Sequence, residues 1–240
     1  MTCRVEYHRA VSHSFNNTVK LLKFDSHTAI IDKMDHHENS LAALVGDVAD
    51  AQKGYFTRAQ ASDEGVDDMR LQRAVANGSI ERVDHGVYRI VGSGYDPHQT
   101  LRAAWLRLSP DEFPRERTHR PHLWVSHRSA ARLFDFGVVA ADVPEFISNR
   151  RVQTRADVIV RVRSGGLERP DWMVHDGFAV TTPARTVADL AAGRMDGGHL
   201  GRIAAGALGR GMATMEDLEV AVRGRVDVAS IIAQAAEKMV

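Results

Sequence analysis

Leu41, Leu44, Val45, Val48 and Ala49 fall at i, i+3, i+4, i+7 and i+8, the spacing that lines one face of a helix. Ser40, just before them, is a residue type that caps a helix start. Gly54 ends the pattern, and Tyr55-Phe56 reads as a short extended piece. Thr57-Arg58-Ala59-Gln60 has the form of a capping box, in which the Thr57 hydroxyl and the Gln60 amide satisfy each other's free backbone donors. The helix it opens stops at Gly65. Asp67 is placed to cap a third helix, with Leu71, Ala74 and Val75 facing inward, and Asn77-Gly78 is a common terminator. Two β-branched runs follow, Ile80–Val83 and Val87–Val91, joined by Asp84-His85-Gly86, which signals a hairpin. Helix, short strand, helix, tight turn, helix and hairpin, in that order, make a winged helix-turn-helix over residues 40–95.

Residues 96–240 read as a second domain of mixed α+β pattern. A helix is expected over Thr100–Leu108, a charged loop to Pro121, a strand at Leu123–Val125, and a helix capped by Ser126 that ends near Gly137. Strands are expected at Glu145–Ser148 and Asp157–Val162, and a hairpin joins Trp172–His175 to Phe178–Val180 across Asp176-Gly177. Thr182-Pro183 is expected to cap and open a helix to Ala192, with further helices near 198–209, 214–222 and 226–238. The fold class is therefore α+β, a winged helix-turn-helix followed by a mixed α+β domain. Residues 1–39 hold five of the twelve histidines without a lasting period and read as a loosely ordered extension. Met34 is an alternative to Met1 as the start of translation.

With 44% hydrophobic residues and 31 basic balanced by 31 acidic side chains, the chain has material for a core and none of the charge excess of a polybasic protein. Cys3 is the only cysteine, so neither an internal disulfide nor a cysteine zinc site is possible. No apolar run approaches the roughly 18 residues of a membrane helix, and a cytoplasmic protein is expected. Local charge is uneven. Residues 50–95 carry six basic against seven acidic side chains, whereas residues 102–169 carry 13 arginines against eight acids. The second half thus offers a basic surface for DNA or for an acidic partner, or simply a solvated face.

On the third helix the outward face carries Met69, Gln72, Arg73 and Ala76, with Arg70 at its margin. Arg73 has the fork that suits guanine, and Gln72 the amide that suits adenine. Thr57, Arg58, Arg82, His85 and Arg89 complete the candidate DNA-binding set, although Asp84 makes the wing tip acidic. The alternative is a winged helix used for protein interaction. Catalytic and metal readings are weak. His119, His122 and His127 are three imidazoles whose spacing crosses Pro121 and lacks a fourth ligand. Ser126 and His127 with Asp135 lack an elbow motif, and Gly197-Gly198 lacks the spacing and lysine of a phosphate loop. No enzyme activity, metal, cofactor or small-molecule substrate is expected.

The stretch Gly54-Tyr55-Phe56-Thr57, then Gly65-Val66, Asn77–Val83 and Gly86–Arg89, resembles the N-terminal winged helix of AbiEi-type antitoxins from type IV toxin–antitoxin systems. Val125–Ala131 is similar to that family's Ser-His-x-Ser-Ala helix start, through Ser126, His127 and Ser129. Val180–Leu190 is similar to its Thr-x-x-Arg-Thr-x-x-Asp segment, through Thr182, Arg185, Thr186 and Asp189. The resemblance spans about residues 40–220. It implies a non-enzymatic protein that binds inverted repeats in its own promoter, as monomer or dimer, and represses its operon. It also implies a second domain that neutralises a cognate nucleotidyltransferase-like toxin. For Arg185, Thr186 and Asp189 two roles stand side by side, a lock between helix and sheet and a contact with the toxin.

Overall fold

The structure, a computed structural model, describes residues 41–137, 139–154 and 157–237. The expectations for the N-terminal extension, Cys3, Met34 and the Ser40 cap lie outside the described residues. Helix α1 (Leu41–Asp50) leads into β1 (Tyr55–Thr57), α2 (Arg58–Asp63), α3 (Asp68–Ala76), β2 (Ile80–Asp84) and β3 (Val87–Ile90). The three strands form one antiparallel sheet in the order β1-β3-β2, with Phe56 opposite Tyr88 and Arg82 opposite Tyr88 across the two ladders. This is the winged helix expected from the pattern. Its core collects Val45, Val48, Ala49, Phe56, Ala61, Val66, Leu71, Ala74 and Ile80.

Successive strand residues point to opposite faces, and at β1 both faces are buried. Phe56 looks into the winged-helix core, while Tyr55 and Val87 join the larger core of the second half, alongside Trp105 and Phe178. A core therefore lies on either side of β1, and the described residues pack as one unit.

In the second half, α4 (Gln99–Arg107) and α5 (Pro114–His119) precede β4 (Leu123–Val125), α6 (His127–Leu133), β5 (Glu145–Ser148), β6 (Ile159–Val162), β7 (Trp172–His175) and β8 (Phe178–Thr181). Four helices follow, α7 (Pro183–Ala192), α8 (Gly197–Gly209), α9 (Met215–Val222) and α10 (Val228–Glu237). The five strands lie in the order β6-β5-β4-β8-β7, a mixed sheet in which β4 runs parallel to β8 and antiparallel to β5. Asp176 and Gly177 both have positive φ, 50° and 79°, the backbone a two-residue hairpin turn requires. Gly201 is where α8 meets α10 most closely. A Cβ there would sit 2.0 Å from the Ile231 carbonyl oxygen, so no larger residue fits.

Helix α5 corrects an expectation, for residues 111–121 read as a charged loop. Its inward residue is Arg117, an arginine almost fully buried, so no apolar stripe announces it. The guanidinium donates to the carbonyls of Glu112 (2.9 Å) and Ser109 and lies 5.0 Å from the centre of the Trp105 ring. Burial lowers its pKa to about 10, so it stays charged in place. A second correction concerns caps. Ser126 and Thr182 begin helices, yet neither hydroxyl bonds the helix backbone.

Candidate nucleic-acid interface and the sheet-end motifs

Helix α3 starts where the Asp67 carboxylate accepts the Arg70 amide at 2.7 Å. Leu71, 1% exposed, and Ala74, 6%, anchor it to the core; burying a leucine side chain is worth about 2 kcal/mol. Against those anchors, Met69, Gln72, Arg73 and Ala76 face outward, Met69 at 59% exposure, with Arg70 half-buried at the margin. Arg73 extends along this face, its Nη2 2.9 Å from the Met69 sulfur one turn back. Val75 departs from the expected inward set, at 40% exposure, because a 3.6-residue period carries it past the edge of the buried stripe. An outward polar face on a helix held by its other side is what a major groove admits.

The wing tip is less acidic in space than in sequence. The Asp84 carboxylate turns toward the second half, where Arg107 Nε lies 3.2 Å away. At the tip itself Arg82 donates to the Asp84 carbonyl (3.3 Å) and lies 3.1 Å from His85 Nδ1, leaving Arg82 and His85 exposed. Beside the tip, the Arg58 amide donates to the Gly86 carbonyl at 2.8 Å, which sets the start of α2 next to the wing. The Arg58 side chain is exposed and grips Asp68 with both arms, Nε at 2.6 Å.

Two members of the candidate set do not reach this face. Thr57 is fully buried: its hydroxyl accepts the Gln60 amide (3.1 Å) in the expected capping box and donates to the Pro110 carbonyl at 2.5 Å. Arg89, 11% exposed in its side chain, turns inward, donates to the Ser93 (3.1 Å) and Gly94 carbonyls, and lies 5.1 Å from the Tyr55 ring centre. Both are held by chain from beyond residue 92, which a local reading does not reveal.

The sheet-end motifs meet in space. β4 and β8 are parallel neighbours, so Ser126-His127 and Thr182–Asp189 leave the same end of the sheet, where open α/β sheets place their sites. His127 has φ +51°, a left-handed conformation costly for a side chain of its size, and is 9% exposed. Its Nδ1 lies 2.9 Å from Ser126 Oγ. Burial first, then Arg161 and Arg185, lower its pKa to about 4, so the ring is neutral at pH 7. Ser129 Oγ accepts the Glu145 amide at 2.9 Å and fastens α6 to β5. Thr186 Oγ1 sits 2.7 Å from Thr181 Oγ1, and the Thr182 hydroxyl reaches the Asp171 carbonyl at 3.4 Å rather than capping α7. Arg185 bridges Asp189 (2.8 Å) and Asp171 (2.7 Å). Asp189 is largely buried, and desolvation raises its pKa despite Arg185. The Ser129, Thr186 and Thr182 hydroxyls and the Arg185–Asp171 pair tie helix to sheet or to the β7 approach, while Arg185–Asp189 braces α7 itself.

Among the described residues no group of three metal-ligating side chains comes together. His122 goes instead to a chain absent from the sequence reading. Its Nε2 lies 3.0 Å from Ser109 Oγ and accepts from Arg150 Nη2 at 2.9 Å, while Nδ1 pairs with Glu112. The connectivity is that of a hydroxyl–imidazole–carboxylate triad, but Ser109 is 3% exposed and its histidine nitrogen is shared with an arginine. The chain fixes the 109–112 loop, whose Pro110 and Glu112 carbonyls hold Thr57 and Gln60 of the winged helix.

The geometry thus defines a winged helix joined to an α+β half. Within that class, residues 46–91 match the family described as "Transcriptional regulator, AbiEi antitoxin", and the winged helix is of that family's type. A crystal structure of the RV2827C protein from Mycobacterium tuberculosis is similar over 82% of this chain and 81% of that one, at 13% identity and a TM-score of 0.47. No curated protein matches the chain. Among the described residues, no helix is long and apolar enough to cross a membrane.

Proposed function

We propose that the protein is a cytoplasmic antitoxin of a type IV toxin–antitoxin system. It binds inverted repeats in its own promoter through the winged helix and represses its operon. Through the second half it neutralises a nucleotidyltransferase-like toxin. The observation that supports the DNA role is the outward face of α3, Met69, Gln72, Arg73 and Ala76, opposite the buried Leu71 and Ala74. Arg82 and His85, exposed on the wing, are candidates for backbone phosphates, whereas Arg58 beside them is paired with Asp68. The family match over residues 46–91 supports the same role. No catalytic step is assigned to the chain.

One observation favours a second reading, a winged helix that binds protein. Residues 50–95 carry six basic against seven acidic side chains, a poor balance where displaced counterions supply much of the affinity. A reporter under the protein's own upstream DNA separates the two. Expression of the protein is expected to silence it, and the Arg73→Ala variant to release it; silencing untouched by Arg73→Ala contradicts the DNA reading. For the toxin role, the full chain co-expressed with the product of the adjacent gene is expected to restore growth. A neighbour that is harmless alone, or that stays toxic beside the protein, contradicts it.

A further inference from the structure

The sheet end that carries Ser126-His127 also opens a cleft. It holds about 470 Å³ and lies between the starts of α6, β5 and β6 and the turn that follows α7. Ligand sites run from roughly 300 to 1,000 Å³. His127 enters the cleft as a hydrogen-bond donor. The buried Ser126 hydroxyl has His127 Nδ1, at 2.9 Å, as its only partner among the described residues. Its proton therefore goes to Nδ1, and the ring hydrogen sits on Nε2. Among the described residues Nε2 has no partner, and it is not sealed from solvent. Two arginines join it, Arg128 of α6 and Arg194 of the turn after α7, both exposed and neither ion-paired among the described residues. His127 and Arg194 both hold left-handed backbone, φ +51° and +57°, a costly conformation that gathers at ligand sites. After a helix that place ordinarily goes to glycine, yet here Gly193 stands one residue earlier and Arg194 takes it. The acids of the cleft are mostly engaged. Glu145 is 2.8 Å from Arg161, and Asp196 accepts the Gly198 and His199 amides at the start of α8. That leaves the exposed Asp142 to set against two arginines. The rest of the lining includes Val143 and Ile159, apolar yet 38% and 41% exposed, and Met195.

We propose that this cleft binds a small organic anion, a carboxylate or phosphate ester carried on an apolar body. The oxyanion meets His127 Nε2–H, Arg128 and Arg194, and the body covers Val143, Ile159 and Met195. Guanidinium groups and a neutral ring N–H are donors alone, the complement of an oxygen anion. Arg161 and Arg185, whose charges help to keep the His127 ring neutral, add to the positive field around it. A bare ion would leave the aliphatic side chains in water, so a ligand with an apolar body is favoured over it. No bond is made or broken in the cleft. The inference needs neither the DNA nor the toxin assignment.

The test is isothermal titration calorimetry of the full chain at neutral pH and constant ionic strength. The probes are phenyl phosphate and benzoate, with inorganic phosphate and formate as their bare counterparts. One saturable site per chain is expected for an aromatic probe, and the tighter of the two identifies the oxyanion. Its bare counterpart is expected to bind about tenfold more weakly or worse, for want of the apolar body. Arg128→Gln and Arg194→Gly should each weaken the aromatic probe about tenfold or more, the loss of one charged hydrogen bond. Arg151→Ala removes an exposed arginine outside the cleft and should leave binding unchanged. Glycine suits the left-handed backbone at 194, so Arg194→Gly is expected to unfold at or above the wild-type temperature, which separates lost binding from lost folding. No saturable heat and no rise in unfolding temperature with any probe overturns the site. Binding that Arg128→Gln and Arg194→Gly leave intact, or that Arg151→Ala weakens equally, overturns it too. Bare ions that bind as tightly as their aromatic counterparts overturn the apolar wall and the proposal with it.

Discussion

The outward face of α3 and the sheet-end motif of the second half are equally rich in polar residues, and the molecule uses them in opposite ways. On α3, Gln72 and Arg73 project into solvent from a helix held by Leu71 and Ala74. At the end of β4 and β8, His127, Thr186, Arg185 and Asp189 are largely buried and bond within the protein, His127 to Ser126, Thr186 to Thr181 and Arg185 to Asp189. Polar groups that fold inward fix a structure, because breaking them strands a desolvated partner. Polar groups held outward on a rigid helix contribute little to folding and remain available for another molecule. The two regions should therefore respond in different assays.

The largest expected effect is in the second half. Arg185→Ala leaves the largely buried Asp189 and its neighbour Asp171 without their cation, and is expected to destabilise by about 3 kcal/mol. In thermal unfolding of a chain this size that is a fall of roughly 6–12 °C. DNA affinity of the folded fraction should not change; a large DNA defect with unchanged unfolding would break the contrast.

Acid comes next. His127 has its pKa lowered to about 4 in the folded state, against about 6.5 in the unfolded chain. Between those values the unfolded state binds more protons, so stability is complete above pH 6.5 and is lost as pH falls toward 4. The loss is on the order of 3 kcal/mol. His127→Asn, whose residue tolerates the left-handed backbone, should flatten denaturant-measured stability across this window. The same slope in both proteins would show that another group is responsible.

Thr57→Val tests where the winged helix meets the rest. It removes the cap of α2 and the bond to Pro110, and is expected to cost about 1.5 kcal/mol in chemical denaturation. A variant as stable as wild type would show that the junction does not depend on the hydroxyl. Smallest of all, Arg73→Ala should move stability by no more than about 0.5 kcal/mol; a larger shift in unfolding midpoint would place Arg73 among the structural residues.

The sequence makes local chemistry legible and distant chemistry opaque. The Thr57–Gln60 box, the Asp67 cap and the Asp176-Gly177 turn each depend on residues within a few positions, and all three form as the spacing predicts. The strand alternation also places Tyr55 and Phe56 on opposite faces, but only the folded chain shows a core on each side. The DNA-binding set fails where a remote segment intervenes. Thr57 is taken by Pro110, 53 residues away, and Arg89 by the segment that leaves the wing. Helix α5 escapes because its inward group is Arg117, satisfied by carbonyls and a tryptophan ring that no apolar period encodes. The Ser109–His122–Glu112 chain escapes for the same reason, since two of its members lie in a stretch that reads as charged loop.

The account turns on whether the exposed side of α3 distinguishes one DNA sequence from another. The direct measurement is binding of wild type and Arg73→Ala to the upstream duplex and to a random duplex at a single fixed salt concentration. Wild type is expected to prefer the upstream duplex, and Arg73→Ala to lose about 1–3 kcal/mol of that preference, roughly 5- to 150-fold, with little change on the random duplex. Equal binding of both duplexes by wild type, or a preference that survives Arg73→Ala intact, contradicts it.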